Sequence, residues 1–415
     1  MSIVANLGVL AAFKYNNFFI DNVNALLSLG NIQVHTLPHI EIILPIGLSF
    51  HTFQAMSYTI EVYRGNQKAE RHFGIYALYV MFYPQLVAGP IERPQNLLHQ
   101  FYEKHFLEPS NVVDGLKRML WGMFKKVVIA DRLSLLTTTV FQNPHCYSAS
   151  VLAISVISFS FQIYCDFSGY SDIALGASRV MGFKLMKNFD RPFSSRSISE
   201  FWRRWHISLS SWFNDYLFMP FVVAKREWGN FAIIGGLLIT FFLSGLWHGA
   251  GWTFIIYGCL HGIAMSYEIL TKAIRKKINS GIPGYIYHPF TTAITFLFVS
   301  FSFIFFRANT IADAQYIIRK IGGAFERIPQ IFIGNELPSV HIPNILHFET
   351  TQQILLSVGL IIFLELIQYL HSRFDLISLI KKQNVVIRWM IYYASIIAVI
   401  RLGIWEEQQF IYFQF

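Results

Sequence analysis

The chain has 415 residues, 54% of them hydrophobic and only 14% charged, with a net charge of +9 at pH 7. A soluble domain carries about 25% charged residues, so this composition excludes an ordinary soluble enzyme; at about 20 apolar residues per crossing, it describes an integral membrane protein with on the order of ten spans. The Lys and Arg excess falls in short loops between apolar runs, which reports orientation in a membrane and argues against nucleic acid as a partner.

Cys146, Cys165 and Cys259 are scattered without metal-ligand spacing, so neither a disulfide framework nor a metal site is expected. The first charge, Lys14, follows the apolar start instead of preceding it, so residues 2–27 read as a retained span and not a secretory signal. Residues 44–63 carry Ser49, His51, Thr52, Gln54, Ser57 and Glu61 among apolar positions. Such groups need internal partners in lipid, so this segment belongs inside the bundle, as a cavity wall or as a place of helix–helix hydrogen bonding. A further span over 73–87 ends in AGPIERP, where Pro90 and Pro94 stop the helix and Glu92 and Arg93 are placed to pair. Residues 112–133 set Lys117, Arg118, Lys125 and Lys126 among apolar neighbours, the pattern of an amphipathic helix on the membrane surface or of a short span with basic ends.

Residues 151–163 are strongly apolar and run into YCDFSGYSDIALGASRVMG. On a continuous helix Gln162, Asp166 and Tyr170 form one polar stripe. Asp166 and Asp172 at membrane depth must find donors, be protonated or touch water, so they are either structural ion pairs, with Arg179 as a cation, or part of a site. A polar connector over 188–199 leads into SEFWRRWHISLSSWFNDYLFMPF, where Ser199 and Glu200 suit a helix start. Read as one helix, Arg203, His206, Ser210 and Asn214 share a face, while Trp202, Trp205 and Trp212 suit a membrane interface. His206 is a candidate site residue on this pattern.

The stretch LSGLWHGAGW, residues 243–252, places His248 between two almost uncharged runs. A titratable imidazole there is a functional candidate by default, because it must be buried in protein or face water. Gly245, Gly249 and Gly251 let another chain or a ligand approach the backbone. A second GxxHG segment follows thirteen residues later and carries His261. On one unbroken helix thirteen steps of about 100° would turn the two imidazoles to nearly opposite sides, and the glycine-rich surroundings favour His248. Lys272, Arg275, Lys276 and Lys277 mark a cytoplasmic loop, spans follow over 291–306, 354–370 and 389–405, and the long loop over 307–350 is placed outside. This count puts His248 at the outer or middle depth of the membrane.

Together, PQLVAGPIERP, DFSGYSDIALG, FWRRWHISLSSWF, GLWHGAGWTFIIYGCLHG and the terminal FIYFQF resemble the membrane-bound O-acyltransferases, and within them the branch of bacterial polysaccharide O-acetyltransferases. The resemblance covers nearly everything from residue 44 onward. It implies an all-α polytopic fold around a funnel or tunnel, with interfacial or re-entrant helices, as one domain over 1–415 that lacks some N-terminal spans usual in the family. It places His248 and His206 at the family's two histidine positions, His248 as general base or transient acyl carrier, with Arg203, Ser210, Asn214, Asp166, Asp172 and Trp247 as candidate substrate contacts. The stretch MPFVVAKREWG and Cys165 depart from the family pattern.

The implied activity is transfer of an acetyl group from cytoplasmic acetyl-CoA, with no bound cofactor, toward an extracytoplasmic polysaccharide such as alginate or another envelope glycan. A periplasmic or surface serine-type transferase is the implied protein partner, and the inner membrane with its lipid is the implied location. The rivals are D-alanyl transfer to teichoic acid and a polymer or solute transporter. Transporters commonly carry two related halves, and the sequence contains only the short GxxHG echo.

Overall fold

A backbone in hydrocarbon has no water to bond, so its amides and carbonyls must be satisfied within the segment, and helices do this unaided. In the computed structural model, which describes residues 1–30, 36–40, 42, 45, 47–333, 351–406, 408 and 410–411, the described residues form helices and connectors without a strand. The principal helices are α1 (Ser2–Leu29), α2 (Leu48–Tyr63), α3 (Phe73–Val80), α4 (Pro109–Met123), α5 (Asp131–Gln142), α6 (Ala149–Val180), α7 (Ile198–Arg204) and α8 (Ile207–Phe213). They continue with α9 (Asn230–His248), α10 (Trp252–Leu270), α11 (Lys272–Gly281), α12 (Gly284–Arg307), α13 (Ile311–Ile333), α14 (Thr351–Arg373) and α15 (Val385–Leu402). Seven among the described residues, α1, α6, α9, α10, α12, α14 and α15, are long and apolar enough to cross a membrane, in agreement with a polytopic all-α protein.

Of these, α6 is the staff of the bundle. Its most apolar stretch is 78% buried by protein, against 11% for α1 and 6% for α15, whose side chains face outward. Burial this deep requires close neighbours, and glycines supply them. A Cβ on Gly115 would lie 2.6 Å from the Gly176 carbonyl oxygen, and one on Gly122 would lie 2.6 Å from that of Gly169. The partner numbers fall as the α4 numbers rise, so α4 and α6 run antiparallel with small residues at their contact, the packing that membrane helices favour.

The fold departs from several expectations. The segment over 73–87 is an eight-residue helix, α3, then a short turn over Tyr83–Gln85, too short to cross a membrane. Residues 109–142 pack against α6 instead of standing apart from the bundle. A π-helical stretch, Phe124–Ala130, joins α4 to α5, and its Lys125, Val128, Ile129 and Ala130 are buried. Glu92 and Arg93 do not pair: Glu92 is buried and accepts from the Met186 amide and Asn96, whereas Arg93 bridges to Asp215 at 3.1 Å. The loop over 307–350 begins with a helix, α13, and its remainder from 334 to 350 lies outside the described residues, as do Leu44 and most of FIYFQF. Within α2, Gln54 donates to the Tyr79 carbonyl at 2.6 Å and Ser57 to that of Gln54 at 2.7 Å, so these polar groups find partners inside the bundle.

Gly122→Ala is expected to lower stability by about 2 kcal/mol, because its methyl group meets backbone on α6 that cannot swing aside. Gly359→Ala, with open space around its Cα, serves as the neutral control. Thermal midpoints of the two variants in detergent check the pair.

Candidate active site

Two breaks in helical continuity build the site, and the first lies between α7 and α8. Ser197, two residues ahead of the expected Ser199, caps α7 by accepting from the Glu200 amide at 3.0 Å, while Ser199 donates its amide and hydroxyl to Glu268. The helix stops at Arg204, and His206 takes φ 44° and ψ 53°, a left-handed conformation that a side chain rarely adopts. Such strain costs on the order of 1–3 kcal/mol and persists where surrounding bonds over-determine it. Here the Asp190 amide donates to the Arg204 carbonyl at 2.8 Å, and the Ile207 amide donates to that of Asn188 at 2.9 Å.

The expected shared face of Arg203, His206, Ser210 and Asn214 therefore does not form. Arg203, Ser210 and Asn214 line a cavity, whereas His206 turns into the core and is fully buried. Trp202, Trp205 and Trp212 are buried as well instead of lying at an interface, with the Trp212 indole donating to the Phe53 carbonyl at 2.9 Å.

Hydrogen bonding assigns the His206 tautomer. Asn188 Oδ1 accepts from the Ser208 backbone amide at 3.2 Å and from its hydroxyl at 3.0 Å. A backbone N–H can only donate, so this Asn188 atom is an acceptor, and His206 Nδ1, 3.2 Å away, must be the nitrogen that carries hydrogen. The lone pair is then on Nε2. Burial holds the His206 pKa down at about 3, so the ring is neutral at physiological pH.

The second break ends α9. The two GxxHG segments lie on the arms of a hairpin and not on one continuous helix: α9 stops at His248, residues 249–251 turn, and α10 returns alongside. The glycines of the echo meet across it. A Cβ on Gly245 would lie 2.3 Å from the Phe254 carbonyl oxygen, and one on Gly258 would lie 2.1 Å from that of Phe241.

The hairpin separates the roles of its two histidines. His261 Nδ1 accepts from the Trp202 indole at 3.1 Å, so Nε2 bears the hydrogen and donates to the Ser302 hydroxyl at 2.9 Å. Both nitrogens of His261 thus hold helices together. His248, also buried, sits among rings, with centroids 5.0 Å from Trp247, 5.2 Å from Phe306 and 5.9 Å from Tyr257. The Trp247 ring lies 6.0 Å from His206 and 5.4 Å from Phe50. The two imidazoles therefore flank one tryptophan in a single aromatic chamber.

A cavity of about 560 Å³ lies between α7–α8 and the α9–α10 hairpin. Its polar lining is Arg203, Ser199, Ser210, Ser211 and Asn214 on one side and Thr240 and Ser244 on the other. Thr240, Ser244 and His248 follow one another at intervals of four on α9, so they share a helix face. The lining thus reaches one turn short of His248 without including either imidazole.

Asp166 and Asp172 stand elsewhere, in ion pairs. Lys126 Nζ is 2.7 Å from Asp166, and Asp172 is held by Arg118 at 2.9 Å and Lys125 at 2.7 Å. Arg179, the cation expected beside them, pairs with Asp114 at 3.3 Å. It is the neighbouring Phe167 that meets His206, edge-on at 4.7 Å. Asn188 was not singled out from the sequence, since it lies in a connector with no periodicity; a lone Asn in a segment bounded by proline is the signal available.

The sequence profile of the MBOAT, membrane-bound O-acyltransferase family, matches residues 71–306. Over 317 residues the chain is 39% identical to the probable alginate O-acetylase AlgI of Pseudomonas aeruginosa, covering 76% of this chain and 58% of that protein. It is 34% identical over 349 residues to the peptidoglycan O-acetyltransferase of Helicobacter pylori, covering 78% and 64%. A teichoic acid D-alanyltransferase of Bacillus subtilis is 31% identical over 291 residues, covering 67% and 72%. The chain thus spans about 58% of the length of the alginate O-acetylase it matches.

Because folded His206 stays neutral down to about pH 3 while an unfolded histidine protonates near 6.5, the unfolded state takes up the extra proton between these values. Stability contributed by this group is therefore present above pH 6.5 and falls as the pH drops toward 3. His206→Gln is expected to flatten that part of the pH dependence, read as the thermal midpoint in detergent; an unchanged slope would mean that the ring protonates in place.

Proposed function

Because the chain belongs to the membrane-bound O-acyltransferase family, we propose that it moves an acetyl group from cytoplasmic acetyl-CoA to a hydroxyl of an extracytoplasmic polysaccharide, with His248 as the reacting imidazole. The observation that carries this reading is the burial of His248 at the end of a membrane-length helix, in a chamber it shares with a second, neutral imidazole. Acyl transfer from a thioester to a hydroxyl needs a base for the hydroxyl proton, and an imidazole is suited to that task near neutrality. The hydroxyl oxygen attacks the thioester carbonyl, its proton passes to His248, the carbon–sulfur bond breaks, and the departing thiolate regains the proton from the imidazolium. His248 acting as a transient acyl carrier would divide the same exchange into two transfers.

The remaining residues take roles that follow from where they lie. His206, held through Nδ1 by Asn188, orients the reacting group by accepting a hydrogen bond at Nε2. Trp247 and the surrounding rings exclude water from the acyl group, which would otherwise hydrolyse. The cavity beside α8 supplies the donor route, with exposed Arg203 for phosphate and Ser210 and Asn214 for polar contacts along the way to Ser244. Asp166 and Asp172 hold the frame through their ion pairs. The two relatives of higher identity are named acetyltransferases, which favours acetyl over D-alanyl transfer, and the inner membrane with a serine-type transferase as external partner completes the proposal.

In the full-length protein, His248→Ala is expected to lower label transfer from radioactive acetyl-CoA to envelope polysaccharide by about 10²-fold or more, with the amount in the membrane unchanged. His206→Ala is expected to lose less. Retained transfer in the His248 variant, or labelling by a D-alanyl donor in place of acetyl-CoA, overturns the respective part of the assignment.

A further inference from the structure

A helix that ends inside an apolar environment leaves its last carbonyls without intrahelical donors, and they must be satisfied from elsewhere. The end of α9 is such a place, because the amides that would serve Leu246, Trp247 and His248 belong to the turn over 249–251 and to Trp252 at the start of α10. Even the amide of Gly249 reaches the Gly245 carbonyl only at 3.4 Å.

The donors come from α1, more than two hundred residues away in the chain. Lys14 Nζ donates to the Trp247 carbonyl at 2.7 Å and to that of His248 at 3.0 Å, and the Tyr15 hydroxyl donates to that of Leu246 at 2.8 Å. Both residues lie on the π-helical turn Ala11–Tyr15 that interrupts α1, a device common at functional sites. A cation also suits the negative end of the helix dipole. The same helix grips the other arm of the hairpin, where the Trp252 indole donates to Asn22 at 3.0 Å and its ring meets Phe18 edge-on at 5.9 Å. The α1 residues that make these contacts, Lys14, Tyr15, Phe18 and Asn22, lie outside residues 71–306, which the family profile covers.

We propose that Lys14 is a positioning residue for His248: its ammonium group, bonded to the Trp247 and His248 carbonyls, keeps the last turn of α9 closed so that the imidazole stays in the aromatic chamber. This rests on His248 being the reacting group. Lys14 touches no reacting atom, so its loss should lower turnover and leave donor affinity alone.

The test uses full-length protein in detergent, with the amount of folded protein measured for each variant and acetyl-CoA as donor. Lys14→Met is expected to lower kcat per folded molecule by about tenfold to a hundredfold, the scale on which small misplacements act, with the donor KM unchanged. Lys14→Arg, which keeps the donors and the charge, is expected to restore most of kcat. Full kcat in Lys14→Met, an equal loss in Lys14→Arg, or a loss confined to the amount of folded protein overturns the proposal. His248→Ala is assayed in parallel. An active His248 variant removes the reading on which the inference rests, whereas an inactive one beside a fully active Lys14→Met removes the inference alone.

Discussion

The structure depends on closing helix ends where no water can close them. A membrane-length helix is self-sufficient along its body, but its final carbonyls must meet donors or remain unsatisfied at a cost of several kcal/mol. At the α9–α10 turn three such carbonyls lie beside His248, and Lys14 and Tyr15 of α1 meet them. The last turn of α9 so closed carries the imidazole that packs against Phe306 and Tyr257.

The second constraint is close approach. Gly245 and Gly258 bring the arms of the hairpin together, and Gly115, Gly122, Gly169 and Gly176 bring α4 against α6. In lipid the driving force for helix association is packing and hydrogen bonding more than exclusion of water, so contact distance decides which helices pair. Charge then follows the contact. With α4 and the π-helical stretch pressed onto α6, Lys125 and Lys126 reach half-buried Asp172 and buried Asp166, and each carboxylate gains a cation.

The strained backbone of His206 belongs to the same logic. A continuous helix over 198–213 would have carried the imidazole on an outward face with Arg203, Ser210 and Asn214. The left-handed residue ends one helix and begins another, which leaves those three on the cavity and swings the ring inward against Phe167 and Trp247. Asn188 holds the result from three sides, through His206 Nδ1, the Ser208 amide and the Ser208 hydroxyl. One junction thus divides polar residues on neighbouring positions between the cavity and the aromatic chamber.

The membrane class, the helical fold, the family and the choice of His206 and His248 as candidate residues could all be read from the residues. Apolar runs with few charges admit only helices in lipid, and a histidine between such runs stands out against its surroundings. Where the helix over 198–213 breaks could not be read in the same way: periodicity extends it through Trp205 and His206, because local pattern does not register bonds from Asn188. Lys14 itself was visible only as an exception in an apolar run. Its purpose depends on a carbonyl that lies more than two hundred positions away, and only the folded chain brings that pair within reach.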